Sequence, residues 1–205
     1  MPEAKKTYFE YRGVRDAVYA EVTQDDSEGF ATGAVKKFAG LAEVGKSTES
    51  SNDTHYYDNV PAVVISSTGA DTLQISASGI PNSVVAELTG QYYDEEHGMF
   101  VEEERTPKYF AFGYVTNRTD GTDVYVWRLK GAFSIPDQNA RTQDAGTEAN
   151  GQSLTFTGIS TAHKFTKTGK PAKAVNIETA VYDDITEAAF FATVQTPDTI
   201  APANP

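Results

Sequence analysis

The densest groups of side chains that could do chemistry are two acidic runs, Glu102-Glu103-Glu104 and Asp94-Glu95-Glu96-His97. Paired carboxylates can hydrolyse glycosides, and clusters of Asp, Glu and His can bind metal ions. Adjacent side chains on a strand point to opposite faces, so this spacing gives no reason for the carboxylates to converge. We therefore expect these groups to be solvated, and we predict no catalytic and no metal-binding residues.

Three further signatures of catalysis or metal binding were sought in the sequence: histidine pairs, a serine nucleophile turn and cysteine ligands. The three histidines, His55, His97 and His163, are not linked by an HExxH or His-x-His spacing. No serine lies in a GxSxG turn. The chain has no cysteine, which excludes disulfides and thiolate metal sites. The sequence therefore predicts neither an enzyme nor a bound cofactor.

The balance of charged residues indicates whether the protein could bind nucleic acid. The chain has 17 Lys and Arg against 29 Asp and Glu, a net charge of −12. Proteins that grip DNA need clustered cations to displace counterions from phosphate, and here the cations are few and scattered. The chain should not hold DNA but could let DNA pass.

Residues 1–16 lack an apolar signal-peptide core, and no apolar run approaches the ~20 residues of a membrane span, so we expect folding in a cytoplasm.

The elements that position these residues are mostly strands. With 11 Tyr and 11 Phe among 205 residues, we expect one β-rich domain with an aromatic core. The clearest hairpin joins residues 109–117 to residues 123–134 through Asp120-Gly121, a strong turn signal. Two inward-facing rows are predicted on it: Phe110, Phe112 and Tyr114 on the first arm, and Tyr125, Trp127, Leu129 and Phe133 on the second.

Shorter patterns predict the remaining elements. Leu73, Ile75 and Ala77 alternate with polar residues, which is typical of a half-buried strand. A short helix is predicted over residues 81–89, begun by Pro81 and ended by Gly90. Further strands are expected over residues 18–23, 35–41, 61–66, 72–78, 99–103, 154–161 and 172–179, with a turn at residues 68–71, a loop over residues 137–151, and residues 185–194 either helix or strand.

A long polar segment interrupts this pattern. Residues 43–53 hold almost nothing that could pack in a core, and Tyr56 and Tyr57 follow closely. A loop this long is usually functional or disordered. Residues 43–59 therefore predict a projecting loop or hairpin that contacts another surface. We expect an N-terminal arm at residues 1–12, a single domain at residues 13–195 and a C-terminal arm or tail at residues 196–205.

Several segments together resemble the major tail tube proteins of siphoviruses, the long, flexible-tailed phages of Gram-positive bacteria. The best match is Pro107-Lys108-Tyr109-Phe110-Ala111-Phe112-Gly113-Tyr114, followed by Asp120-Gly121 and residues 125–136. The order and spacing of the segments carry the resemblance, which covers residues 13–160 approximately. The other matching segments are residues 13–23, 36–40, 56–59 and 88–94, Thr142 and residues 154–158.

The resemblance implies a β-sandwich or barrel-like domain with one short flanking helix. Six copies would form a ring, and rings would stack into a tube whose lumen conducts DNA during genome ejection. The implied partners are further copies of the chain, a tape measure protein in the lumen, and tail tip and tail terminator proteins. The implied location is the virion, after assembly in the host cytoplasm.

The resemblance also suggests roles for individual residues. The long loop would reach a neighbouring subunit or ring, and acidic residues on the inner sheet would repel phosphate. Two other interpretations remain open: a β-sandwich module for adhesion or carbohydrate binding, with its aromatic residues exposed in a groove, and an acidic hydrolase using residues 102–104. Our candidates for the loop contact are Lys46, Glu49, Tyr56, Tyr57 and Asp58, and for the lumen Glu102, Glu104 and Asp137.

Overall fold

The structure is a computed structural model that describes residues 8–140, 150–182 and 184–200. The chain is mainly β, and its antiparallel strands are consistent with the predicted sandwich-like fold. The helices are α1 (Asn82–Thr89) and α2 (Glu187–Phe190). The strands are β1 (Tyr11–Asp25), β2 (Phe30–Thr32), β3 (Lys36–Lys37), β4 (Leu41–Tyr57), β5 (Val60–Ala77), β6 (Tyr92–Asp94), β7 (Met99–Val101), β8 (Phe110–Arg118), β9 (Asp123–Phe133), β10 (Asp137–Gln138), β11 (Gln152–Gly158) and β12 (Ala174–Glu178).

One large antiparallel sheet organises the molecule. Its strand order is β2-β1-β8-β9-β11-β5-β4, with β3 paired to β1, β10 to β11 and β12 to β9. The strands β6 and β7 form a separate small hairpin. The large sheet curls until β4, the last strand in this order, lies close to β1. The curled sheet therefore encloses an interior, as expected of a barrel-like domain.

The central strands are buried on both faces. In β8, Phe110, Phe112 and Tyr114 point into the interior of the curled sheet, while Ala111 and Val115 pack on its outer face. This double burial explains why β8 is an almost unbroken apolar run. The interior cluster also holds Leu73, Ile75, Val85, Leu88, Phe133 and Phe156, and the outer cluster holds Trp127, Leu129, Phe165, Val175, Ile177 and Phe190.

The second aromatic row of the hairpin divides between the two clusters. Tyr125, Trp127 and Leu129 pack on the outer face, whereas Phe133 lies in the interior cluster, so the prediction of one shared face is wrong. The register between β8 and β9 shifts near Phe110, which leaves an extra residue on β9. Such a bulge moves every later side chain of the strand to the opposite face.

The short helix was predicted correctly. Pro81 precedes α1, and Gly90 ends it in a left-handed conformation at φ 69°, donating its N–H to the Ala86 carbonyl. Val85 and Leu88 point into the interior cluster. A side chain at position 90 would both strain this backbone and collide with Thr106, so a glycine is required there.

The two strands predicted at residues 61–66 and 72–78 are one continuous strand, β5. Residues 68–71 make a register shift within the pairing to β4 instead of a turn. The chain reverses at Asp58 and Asn59, both with positive φ (52° and 63°). Asp and Asn tolerate this conformation, which a tight hairpin turn requires. Residues 43–59, predicted as a projecting loop or hairpin, are accordingly the greater part of strand β4 together with this turn.

Shorter elements also differ from the expectation. The strand predicted at residues 35–41 is reduced to β3, after which Phe38 turns into the interior cluster. Residues 185–194, left open between helix and strand, contain α2, whose first turn is capped by the Thr186 hydroxyl. The expected loop at residues 137–151 begins with β10 and then passes into residues 141–149, including Thr142, which lie outside the described residues.

The structure describes only part of each predicted terminal arm. Residues 8–10 precede β1, and residues 1–7 lie outside the described residues. Residues 196–200 lie against the body, because Asp198 accepts hydrogen bonds from the backbone N–H groups of Thr166 and Lys167 at 2.9 and 2.7 Å. Ile200 packs beside the outer cluster. Residues 201–205 lie outside the described residues.

Gly131 gives a direct test of this packing. Its position is opposed to Gly158, and a Cβ atom there would collide with the Phe156 ring in the interior cluster. We expect Gly131→Ala to lower the free energy of unfolding by about 1–3 kcal/mol, the usual range for an overpacked core. Urea denaturation measures this. Gly45→Ala is the control, because a Cβ at position 45 meets no atom within 4 Å; equal stability of the two variants would contradict the packing described.

Candidate functional site

The outer parts of β4 and β5 form a two-stranded ribbon that leaves the body of the protein. We define the ribbon as residues 46–69, all of which are exposed. Its register pairs Asp53 with Ile65, His55 with Val63 and Tyr57 with Val60. At ~3.3 Å per residue, the strand from position 70 to position 60 spans about 35 Å. An isolated two-stranded ribbon is marginal in water, so its base and its surroundings must stabilise it.

The outer half of the ribbon is apolar although it is exposed. The side chains of one strand alternate between faces, so Tyr57, Val60, Val63 and Ile65 share one face, and Tyr56, Pro61 and Val64 share the other. Val63 is 48% exposed and Val64 60%. Contiguous apolar surface of this kind marks an interaction site.

The ribbon also presents unpaired strand edges. Within the described part of the chain, residues 46–57 pair only with β5, and residues 60–70 pair only with β4. Each outer edge therefore offers backbone N–H and C=O groups to solvent. Such edges readily pair with another chain.

The base of the ribbon is held by one buried carboxylate. Asp71 is 3% exposed and lies where β5 enters the body. Its carboxylate is 3.2 Å from Arg128 Nη1, 3.2 Å from Lys173 Nζ and 3.7 Å from Lys46 Nζ. It also accepts a hydrogen bond of 3.0 Å from the Thr48 hydroxyl. These partners come from β9, from the residue before β12, and from the opposite arm of the ribbon.

These contacts keep Asp71 ionised. Burial alone would raise the pKa of the Asp71 carboxyl, but the hydrogen bonds from Thr48 and Lys173 and the charges of Lys46 and Lys173 outweigh it, so the pKa lies below its ordinary value. Lys173 Nζ also bonds to the Gly69 carbonyl at the register shift. The cluster thus ties both arms of the ribbon to the sheet.

The structure separates the five residues predicted for the loop contact. Tyr56, Tyr57 and Asp58 lie together at the tip, where the two tyrosines are 64% and 62% exposed. Lys46 and Glu49 lie at the base: Lys46 contacts Asp71, and the side chain of Glu49 lies against Gly69. The tip is therefore the part available to a partner.

The three lumen candidates lie outside the ribbon. Glu102 and Glu104 follow β7 in an exposed segment; β7 ends at Val101, so Glu102 lies beyond the strand that was predicted to include it. Asp137 begins β10 and is also exposed. Exposed side chains fit a lumen-facing role and fit the outer surface of an assembly equally well, so exposure does not distinguish the two.

The groups singled out for chemistry do not converge. Asp94 closes a turn by accepting hydrogen bonds from the backbone of Glu96 and from the backbone and ring of His97, which lower its pKa. Among residues 8–140, 150–182 and 184–200, no three His, Asp or Glu side chains are grouped to hold a metal ion. None of the described helices is long and apolar enough to cross a membrane.

Sequence reasoning missed two features of this site. Residues 61–66 are predicted as a strand without a statement of their exposure, although the polar segment opposite them could have indicated an exposed pair. The contact of Asp71 with Arg128 and Lys173 joins residues distant in sequence, and no local signal reveals it.

Comparison with protein-family models and with curated proteins finds no match to this chain.

Asp71 allows the base of the ribbon to be tested. Asp71→Asn would leave the buried Arg128 and the partly buried Lys173 without their counter-charge, so we expect the free energy of unfolding at pH 7 to fall by about 3 kcal/mol. Because the folded pKa is lowered, the stabilisation is complete above about pH 5 and is lost as the pH falls through the folded value. The difference between wild type and variant should therefore shrink at lower pH in urea titrations.

The control for this substitution is Asp53→Asn. This substitution removes the same negative charge from an exposed ribbon position, because the Asp53 side chain is 77% exposed. It should alter the free energy of unfolding by less than about 0.5 kcal/mol. Similar losses for both variants would show that Asp71 has no special role.

Proposed function

We propose that this protein is a structural subunit that assembles with copies of itself into stacked hexameric rings, forming the tube of a siphovirus tail. The observation that carries the proposal is the ribbon, whose apolar outer half and unpaired edges have no partner among the described residues. A second copy supplies both an apolar surface and strand edges. The similarity of residues 13–160 to major tail tube proteins supports a tube as the product.

The ribbon is compatible with an extended assembly. It projects from the curled sheet, so its tip can contact a surface of another copy that differs from the ribbon itself. Contacts between different surfaces of identical subunits generate rings when the rotation closes and filaments when it does not. Stacked rings combine both outcomes.

The charge of the chain supports passage of DNA through such a tube. A wall of subunits with net charge −12 repels phosphate, whereas a basic wall would bind it and release counterions. In this proposal Glu102, Glu104 and Asp137 face the lumen. The tape measure protein would occupy the same lumen before ejection, with tail tip and tail terminator proteins at the two ends.

The other interpretations receive less support. A sugar-binding module would need the hairpin aromatic residues in an open groove, but Tyr114 is 5% exposed and Trp127 is fully buried. An acidic hydrolase would need its carboxylates in a cleft, but residues 102–104 lie in an exposed segment.

Removing the outer ribbon tests the proposal. Ser50 and Thr68 are paired, so residues 51–67 can be replaced by an Asn-Gly turn without disturbing the base. We expect a folded protein with an unchanged melting temperature that stays monomeric, whereas the intact chain forms rings or tubes at high concentration. Size-exclusion chromatography with light scattering and negative-stain microscopy measure both properties.

A gentler variant controls for the deletion. Val63→Asp with Ile65→Asp keeps the ribbon and its turn but places charge in the apolar face, and should also block assembly. Thr48→Ser, at the ribbon base, keeps the hydroxyl and should assemble normally. Tubes of normal length from the shortened ribbon would refute its role.

The lumen assignment is tested in phage particles. Replacing Glu102, Glu104 and Asp137 by Lys would give the wall cations that attract phosphate, so we expect slower genome ejection with normal tube length. Ejection triggered in vitro and followed with a DNA-binding dye measures the rate. The matched variant carries Gln, Gln and Asn at these positions and should lie between wild type and the Lys variant. Unchanged rates for the Lys variant would remove these residues from the lumen.

A further inference from the structure

An apolar groove lies on the body, at the end of β4 opposite to the ribbon tip. It has a volume of about 680 Å³ and runs between the bulged part of β1, the segment that joins β3 to β4, and α2. Its floor is formed by Ala17, Val18, Phe38, Ala39 and Phe191. The polar residues at its rim are Asp16, Lys37 and Glu187.

The charges at the rim leave one cation without a counter-charge. Arg15 Nη1 lies 2.5 Å from Asp16 and 2.7 Å from Glu187, so both rim carboxylates are paired. Lys37 is exposed and makes no ion pair with any described residue. The ribbon tip has an anion without a counter-charge: Asp58 is exposed and has no ion-pair partner in the described part of the chain.

The groove and the ribbon tip cannot meet within one molecule. Residues 37–40 line the groove and lead directly into β4, which begins at Leu41 and ends at Tyr57. At ~3.3 Å per residue, the strand places its two ends about 50 Å apart, and a continuous strand does not fold back on itself. The tip of one copy can reach only the groove of another.

We propose that the ribbon tip of one copy docks in the groove of the next copy, placing Tyr57, Val60 and Val63 on the apolar floor and Asp58 against Lys37. This proposal rests on the proposed self-assembly and names the surface that receives the ribbon. The contact joins two different surfaces, so it can repeat from copy to copy, and it gives an open-ended stack when the rotation between copies does not close. The strand length between tip and groove then sets the offset between successive copies.

Cysteine cross-linking tests the contact, since the chain has no cysteine of its own. Val63→Cys and Ala188→Cys are made in separate proteins, mixed under assembling conditions and treated with a short bismaleimide linker. We expect a covalent heterodimer from this mixture. The control mixture pairs Val63→Cys with Thr168→Cys, an exposed turn position away from the groove, and should give at least tenfold less product.

Charge reversal provides a second readout. Lys37→Glu should reduce the yield of the 63–188 heterodimer at least tenfold at a fixed protein concentration, and Lys164→Glu, which changes the same charge elsewhere, should leave it unchanged. Circular dichroism melting checks that both variants stay folded. If tubes form but positions 63 and 188 do not cross-link, the groove is not the receptor and self-assembly stands. If neither tubes nor cross-links form at any concentration, the proposed function fails together with the docking.

Discussion

Asp71 lies where β5 passes from solvent into the core, and its carboxylate is surrounded by Arg128, Lys173 and Lys46. A buried charge is costly unless it is paired and hydrogen-bonded, and here three cations and the Thr48 hydroxyl meet that requirement. The cluster makes the ribbon an extension of the sheet instead of a loop attached to it. A ribbon fixed at its base loses less conformational entropy when it docks, which favours association.

The two arms of the ribbon have different chemistry. The β4 arm is polar until Tyr56, whereas the β5 arm carries an apolar run from Val60 to Ile65. Each face of the ribbon therefore holds one polar stripe and one apolar stripe. An entirely apolar ribbon would pair indiscriminately, because long hydrophobic edges are prone to aggregation. The polar stripe restricts the ribbon to a surface whose apolar and polar parts match it.

Local patterns predicted the parts of the fold that local chemistry decides. The aromatic residues at every second position of β8, the Asp120-Gly121 turn and the Pro81 to Gly90 helix signals all sufficed. The patterns failed where a register shift intervenes: Gly69 resembles a turn residue but lies in a shift within β5, and a bulge in β9 moves Phe133 into the interior. Turns and bulges use the same residue types, so the sequence alone does not distinguish them. Whether the ribbon is exposed depends on the whole sheet.

The net charge of −12 constrains how copies of this chain can associate. Like-charged subunits repel, although salt screens exposed charges beyond about 8 Å under physiological conditions. Burying one Val or Ile side chain contributes roughly 1.5 kcal/mol or more, compared with about 1 kcal/mol for two unit charges 4 Å apart in water. The exposed aliphatic and tyrosine side chains of the ribbon can therefore outweigh the repulsion. In the proposed assembly, an acidic wall that does not bind DNA and an apolar ribbon that joins the subunits would thus be complementary requirements.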